Sequence, residues 1–209
     1  MKNIAINKET QASLTPNSIL DHLLEGNKRF INNDLQAVDY NALVKDTTSG
    51  QYPKAVILSC IDSRVPVEQV FDQTIGDIFV ARVAGNFENT DILGSLEYSC
   101  AVAGSKLIMV LGHESCGAVK AACDGVELGN ITKMLDNIMP AVKKSSEEVE
   151  GESNSSNKEF VAKTVENNVL LTMDRIREKS GILQELEDIG DIKIVGGVYS
   201  ITTGKVTML

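Results

Sequence analysis

Ala55-Val56-Ile57-Leu58-Ser59-Cys60-Ile61-Asp62-Ser63-Arg64 opens with four apolar residues and closes on a polar cluster. The apolar run is too short for a helix and rich in strand formers, so it predicts a buried strand. Two further runs, Ile78-Phe79-Val80-Ala81-Arg82-Val83 and Leu107-Ile108-Met109-Val110-Leu111, repeat the pattern, and Ile92, Leu93, Leu96 and Ala103 recur at helical spacing between them. Near-continuous apolar strands that alternate with helices indicate a parallel sheet covered on its faces. The predicted fold class is α/β, a single domain over 1–209 with a central, mostly parallel β-sheet flanked by helices.

Working outward, Thr15-Pro16 reads as an N-cap with proline at the first helical position, and the spacing of Ile19, Leu20, Leu23, Leu24, Phe30 and Ile31 predicts an amphipathic helix over 16–32. It belongs to an N-terminal helical arm, 1–50. Beyond Ala118 helices are expected over 131–142 and 159–179, then a strand pair at 192–195 and 197–201 with a turn at Gly204-Lys205. Between those helices, 143–158 holds one clearly apolar residue, Val149, and predicts a solvated loop. No internal repeat is present.

The 209 residues suit one domain with a substantial core. Twenty basic against 29 acidic residues, net charge −9, argue against nucleic-acid or anionic-membrane partners. No stretch approaches the length of a signal peptide's apolar region or of a membrane span, so the expected location is cytoplasmic. In that setting Cys60, Cys100, Cys116 and Cys123 point to metal binding or free thiols rather than disulfides.

Cys60 directly follows the first strand, and Gly112-His113-Glu114-Ser115-Cys116-Gly117 directly follows the 107–111 strand. Open α/β sheets bind ligands outside the carboxyl ends of their strands, so the two clusters can converge although they are distant in sequence. Singly, such a cysteine reads as a small buried hydrophobe and such a histidine as a satisfied polar residue. Together, two thiolates and one imidazole form a three-ligand zinc set whose fourth position stays open for water or substrate, which implies catalysis. Cys116 also opens a helix, where amides and the helix dipole favour a thiolate. Cys100 and Cys123 read as packing thiols, and His22 as an exposed helix residue.

Cys60-Ile61-Asp62-Ser63-Arg64 and His113-Glu114-Ser115-Cys116-Gly117 resemble the two signature motifs of the β-class carbonic anhydrases in order and spacing. The likeness runs from Ile19-Leu20-Asp21-His22-Leu23-Leu24-Glu25-Gly26-Asn27-Lys28-Arg29-Phe30 through Arg82-Val83-Ala84-Gly85-Asn86 to Val195-Gly196-Gly197-Val198-Tyr199. It implies one Zn2+ per chain on Cys60, His113 and Cys116, an Asp62–Arg64 catalytic dyad, and a substrate pocket that draws on Gln51, Phe79, Ala84, Tyr98 and Gly117. The implied reaction is reversible hydration of carbon dioxide to bicarbonate and a proton, by hydroxide formed on the metal and oriented by Asp62. The implied assembly is a homo-oligomer, dimer or tetramer, with pocket residues shared across a dimer interface. A bicarbonate regulatory site built around tryptophan, found in some members, does not carry over to a chain with no tryptophan. Two other readings stay open: hydrolysis of carbon disulfide or carbonyl sulfide on the same ligand set, and a zinc or bicarbonate-binding module closed by Asp62.

Overall fold

A computed structural model describes residues 2–209. Three helices precede the sheet: α1 (Lys8–Ser13), α2 (Pro16–Ile31) and α3 (Tyr40–Asp46). The chain then runs through β1 (Ala55–Ser59), α4 (Val67–Val70), β2 (Ile78–Arg82), α5 (Thr90–Glu97) with a π-turn over Tyr98–Val102, and β3 (Leu107–His113). There follow α6 (Gly117–Cys123), α7 (Gly129–Leu135), α8 (Met139–Glu148), α9 (Lys158–Lys179), α10 (Gly181–Asp188), β4 (Lys193–Tyr199) and β5 (Val206–Met208). The strands form one sheet in the order β2-β1-β3-β4-β5, parallel except for β5. The α/β expectation holds, and β2 lies at an edge.

Strand side chains alternate between the two faces. Ala55, Ile57, Leu107 and Met109 pack on one face with Ile19 and Leu23 of α2 and with Val67 and Phe71 at α4. Val56, Leu58, Ile108 and Val110 pack on the other with Leu96, Val169, Ile176 and Leu183 of α5, α9 and α10. Burial on both faces explains why these strands read as unbroken apolar runs. A third cluster sits beyond the strand ends, where Val119, Leu135, Ile138 and Phe160 close over Cys60 and Cys116. No helix among the described residues is long and apolar enough to cross a membrane.

Helix α2 begins as its sequence indicates: the Thr15 hydroxyl accepts from the Ser18 amide, the Ser18 hydroxyl accepts from the Thr15 amide, and Pro16 follows the cap. Buried Asn27 then ties α2 to the sheet. Its Nδ2 donates to Val70 O and Gly204 O, and its Oδ1 accepts from the Val206 amide.

Two expectations are corrected. Residues 143–148 of the expected loop 143–158 are the carboxyl half of α8, and only 149–157 lies outside a helix. The polar sequence conceals tertiary anchors: Ser145 is fully buried, and Asn167 of α9 donates to Ser145 Oγ and Glu148 Oε2. The expected strand pair at 192–201 is a single strand, β4, that ends at Tyr199. Gly196 does not break it but pairs with Val110, and its missing side chain admits α9, since a Cβ there would lie 2.5 Å from Met173 Sδ and 2.7 Å from Val169 Cγ1.

Helix α2 approaches the end of α4 so closely that a Cβ on Gly26 would lie 1.8 Å from the Phe71 carbonyl oxygen. Backbone cannot yield as a flexible side chain does, so Gly26→Ala is expected to destabilise the fold by on the order of 3 kcal/mol, the upper end of ordinary overpacking. Urea unfolding of the variant against the parent checks this; an unchanged midpoint refutes the close approach.

Candidate metal centre

Parallel pairing of β1 with β3 sets Ser59 opposite Leu111, so Cys60 and His113 leave neighbouring strand ends together. Cys60 is 4% exposed, Cys116 1% and His113 0%. Their sulfur and ring-nitrogen atoms all lie within 4.8 Å of one another, and the two sulfurs are 3.9 Å apart. Sulfurs on a tetrahedral zinc at about 2.3 Å each stand roughly 3.8 Å from one another, so this spacing suits such an ion.

The imidazole is already in a ligating tautomer. His113 Nδ1 lies 2.9 Å from the Glu114 carbonyl oxygen, which can only accept, so Nδ1 carries the proton. Nε2 is then a lone-pair acceptor, and it is buried with no hydrogen-bond partner among the described residues. A bare buried nitrogen is costly unless something fills its lone pair, and a cation does so.

The two sulfurs share a proton. The hydrogen bond with Cys116 draws the Cys60 thiol well below its ordinary value against the opposing effect of burial, and the Gly85 amide adds to it. The same bond, together with burial, pushes Cys116 up. Cys116 caps α6 as anticipated, and the Ala118 and Val119 amides do pull its thiol down. The neighbouring sulfur outweighs them, so Cys60 and not Cys116 is the readier thiolate. Burial pushes Cys100 up to about 12 and raises Cys123, which keeps both as packing thiols.

Asp62 and Arg64 form a forked pair. Arg64 Nε donates to Oδ1 at 2.9 Å and Nη2 to Oδ2 at 2.7 Å, while the Arg64 backbone amide also donates to Oδ1. Asp62 Oδ2 stands 3.8 Å from His113 Nε2. The Arg64 hydrogen bonds hold the Asp62 carboxyl far below the usual carboxylate range.

Three residues that sequence reasoning gave no role support the centre. Arg82, the last residue of β2, donates from Nε to Cys60 O and from Nη2 to Asp62 O, both at 2.7 Å, and so clamps the loop that carries ligand and dyad. The Gly85 amide donates to Cys60 Sγ at 3.4 Å, and its carbonyl accepts from Asn168 Nδ2 of α9 at 2.7 Å. Gly85 has φ +87°, and a Cβ there would strike Ile138. Arg82 and Gly85 lie in a quoted motif, but nothing in the local pattern marks Asn168.

Residues 55–206 match the family described as carbonic anhydrase. Carbonic anhydrase 2 of Mycobacterium tuberculosis is 35% identical over 195 residues, covering 89% of each chain. The chain belongs to the β-class carbonic anhydrases. The Coccomyxa β-carbonic anhydrase solved with acetazolamide superposes with a TM-score of 0.73 at 27% identity, covering 91% of this chain and 86% of that one. One of two tetrameric β-carbonic anhydrases of Sordaria macrospora superposes at 0.70 with 24% identity, covering 92% of each, a likeness of fold.

The residues that the carbonic anhydrase resemblance assigned to a substrate pocket divide into two groups. Ala84 precedes the Gly85 donor, and Gly117 follows Cys116 as the first residue of α6, so both sit beside the sulfurs. Phe79 pairs with Val56 and so stands four residues, about 13 Å of strand, short of the level of Cys60. With Tyr98, ring centroids 6.3 Å apart, it lines a groove of about 690 Å³ between β2 and α5. Gln51 is exposed ahead of β1. Within one chain Gln51, Phe79 and Tyr98 do not reach the metal-ligand cluster.

The Asp62 pair has a pH signature. Because the folded pKa is depressed, its contribution to stability is fully present above the unfolded carboxyl value of about 4 and is lost as pH falls through the folded value. Carboxyl-carbon NMR titration is expected to find Asp62 ionised well below the other aspartates, and to find it moved up toward about 4 in Arg64→Ala. An unmoved titration in that variant removes Arg64 as the cause.

Proposed function

We propose that the chain catalyses the reversible hydration of carbon dioxide to bicarbonate and a proton on one zinc ion held by Cys60, His113 and Cys116. The observation that carries this reading is the buried, partnerless His113 Nε2 aimed at two sulfurs 3.9 Å apart. Zinc, when bound, supplies Lewis-acid activation of water near neutral pH.

The chain's own residues do the remainder. Cys60 and Cys116 would hold the ion as thiolates and cancel its charge, where three neutral imidazoles would leave +2; water activated there would be a weaker acid, and activity is expected to rise toward alkaline pH. His113 ligates through Nε2 because the Glu114 carbonyl holds the proton on Nδ1. Asp62 accepts a hydrogen bond from the reacting water and orients its lone pair toward carbon dioxide. Arg64 occupies both oxygens of that carboxylate and keeps it from becoming a fourth ligand. A dyad so paired favours an open fourth position over a module closed by Asp62. The other histidine, His22, lies on α2, so the released proton leaves by water or buffer.

A dimer fits the divided pocket. Gln51, Phe79 and Tyr98 come to the centre from a neighbouring subunit across the β2 edge, where Tyr98 and Val102 are more than half exposed. Ala84 and Gly117 line it from the same chain. Dimers pair further into tetramers such as those of the Sordaria relatives. Four free cysteines suit a reducing cytoplasm.

Metal analysis with stopped-flow hydration tests the reading. One zinc per chain and turnover that climbs with pH are expected, with both lost in Cys60→Ser; zinc without turnover at any pH refutes it. Asn168→Ala, which frees the Gly85 carbonyl behind Cys60, is expected to weaken zinc binding by roughly 10–100-fold in chelator competition, as loss of an outer-shell partner does. Unchanged affinity there means that the Asn168–Gly85 contact does not support the sulfur.

A further inference from the structure

The amino ends of the strands hold a second polar cleft, of about 240 Å³, far from the sulfurs. Lys54, the residue before β1, lines it with Lys2 and with His22 and Arg29 of α2. At 7% exposure Lys54 is the one lysine in the core among the described residues.

Its neighbours leave it unpaired. Lys2 Nζ donates to both oxygens of buried Asp77 at 2.6 Å, and Arg29 Nε donates to Asp72 at 2.5 Å. Glu25, also at the cleft, pairs with Lys28 at 2.6 Å, and His22 is exposed at the rim. Lys54 Nζ makes no hydrogen bond and no ion pair among the described residues. Burial holds its amine down at about 8, with Asp77 opposing and Lys2 and Arg29 assisting. A desolvated lysine beside cations keeps a substantial uncharged, nucleophilic fraction near pH 8, where an ordinary lysine is almost wholly protonated.

We propose that Lys54 is reversibly carboxylated by carbon dioxide to an Nζ-carbamate inside this cleft. Carbon dioxide is small and apolar and reaches a buried amine without a charged path. The Nζ lone pair forms the carbon–nitrogen bond, one carbon–oxygen π pair moves onto oxygen, and one amine proton leaves to solvent. The side chain thus passes from an uncharged amine to a carbamate of charge −1, and where it starts as ammonium a further proton leaves to solvent first. The new carboxylate finds donors in place: Lys2 has a third N–H beyond the two given to Asp77, and Arg29 engages Asp72 only through Nε, leaving its terminal nitrogens. Dissolved carbon dioxide suffices for the adduct without the zinc centre, so its absence leaves the catalytic reading untouched.

The test equilibrates the full-length zinc-loaded protein with carbon-13-labelled bicarbonate and carbon dioxide at about pH 8, where about half of the Lys54 amine is uncharged while ordinary lysines are protonated. Carbon-13 NMR then seeks a protein carbamate signal, and alkylation with triethyloxonium traps it for peptide mass mapping. Expected are a signal absent from Lys54→Met and faded by about pH 6, where the amine is protonated, and a trapped group on the Lys54 peptide several-fold above that on exposed lysines such as Lys193. Equal signals in parent and variant overturn the proposal. So does label confined to the chain's α-amine, label spread evenly over exposed lysines, or bicarbonate held without a covalent bond. Should Lys54→Met fail to fold, the mapping on the unaltered chain decides alone.

Discussion

The register between β1 and β3 is the constraint on which the centre depends. With Ser59 opposite Leu111, Cys60 just past β1 and His113 at the end of β3 leave adjacent strands at nearly the same level, and the register brings them together. A slip of one residue would turn every side chain of β1 to the opposite face and break both packing layers at once. The apolar alternation that buries Ile57 on one face and Leu58 on the other therefore also fixes, indirectly, the distance between a sulfur and an imidazole. Stability and function draw here on the same ladder of hydrogen bonds.

Register alone does not aim the ligands. Cys60 stands on the loop after β1, and its orientation is set from outside: Arg82 grips the carbonyls of Cys60 and Asp62, and the Gly85 amide addresses the sulfur. Gly85 is itself held by Asn168, from a helix that packs against β3 and β4. Each contact is modest, of the order of 1 kcal/mol net for an ordinary hydrogen bond. Their common effect is to spend little freedom when a cation arrives, because donors and acceptors already stand in place.

What the sequence made legible follows the same division. Strands buried on both faces announce themselves, and the two motifs are contiguous, so Cys60, Asp62, Arg64, His113 and Cys116 could be picked out one by one. Asn168 could not, since its role depends on a carbonyl 83 residues away. The carboxyl half of α8 was hidden because Lys143–Glu148 looks solvated until Asn167 reaches across to Ser145 and Glu148. Gly196 read as a break because a glycine suits a turn as well as a close helix–strand approach, and only the position of Val169 and Met173 tells the two apart. Local pattern identifies residues; partners distant in sequence decide their use.

The two ends of β1 carry opposite solutions to one electrostatic problem. At the carboxyl end a buried acceptor nitrogen and two sulfurs face one another, a grouping that positive charge stabilises. At the amino end buried Lys54 faces Lys2 and Arg29, and their charges together with burial make its proton easier to lose. Both arise because the five-residue strand between them is buried along its whole length, so whatever polar group flanks it is drawn partly into the core. Deep burial of a short parallel strand thus does more than stabilise the sheet. It creates, at either end, polar groups whose ordinary protonation no longer suits their surroundings, and such groups are the ones that bind and react.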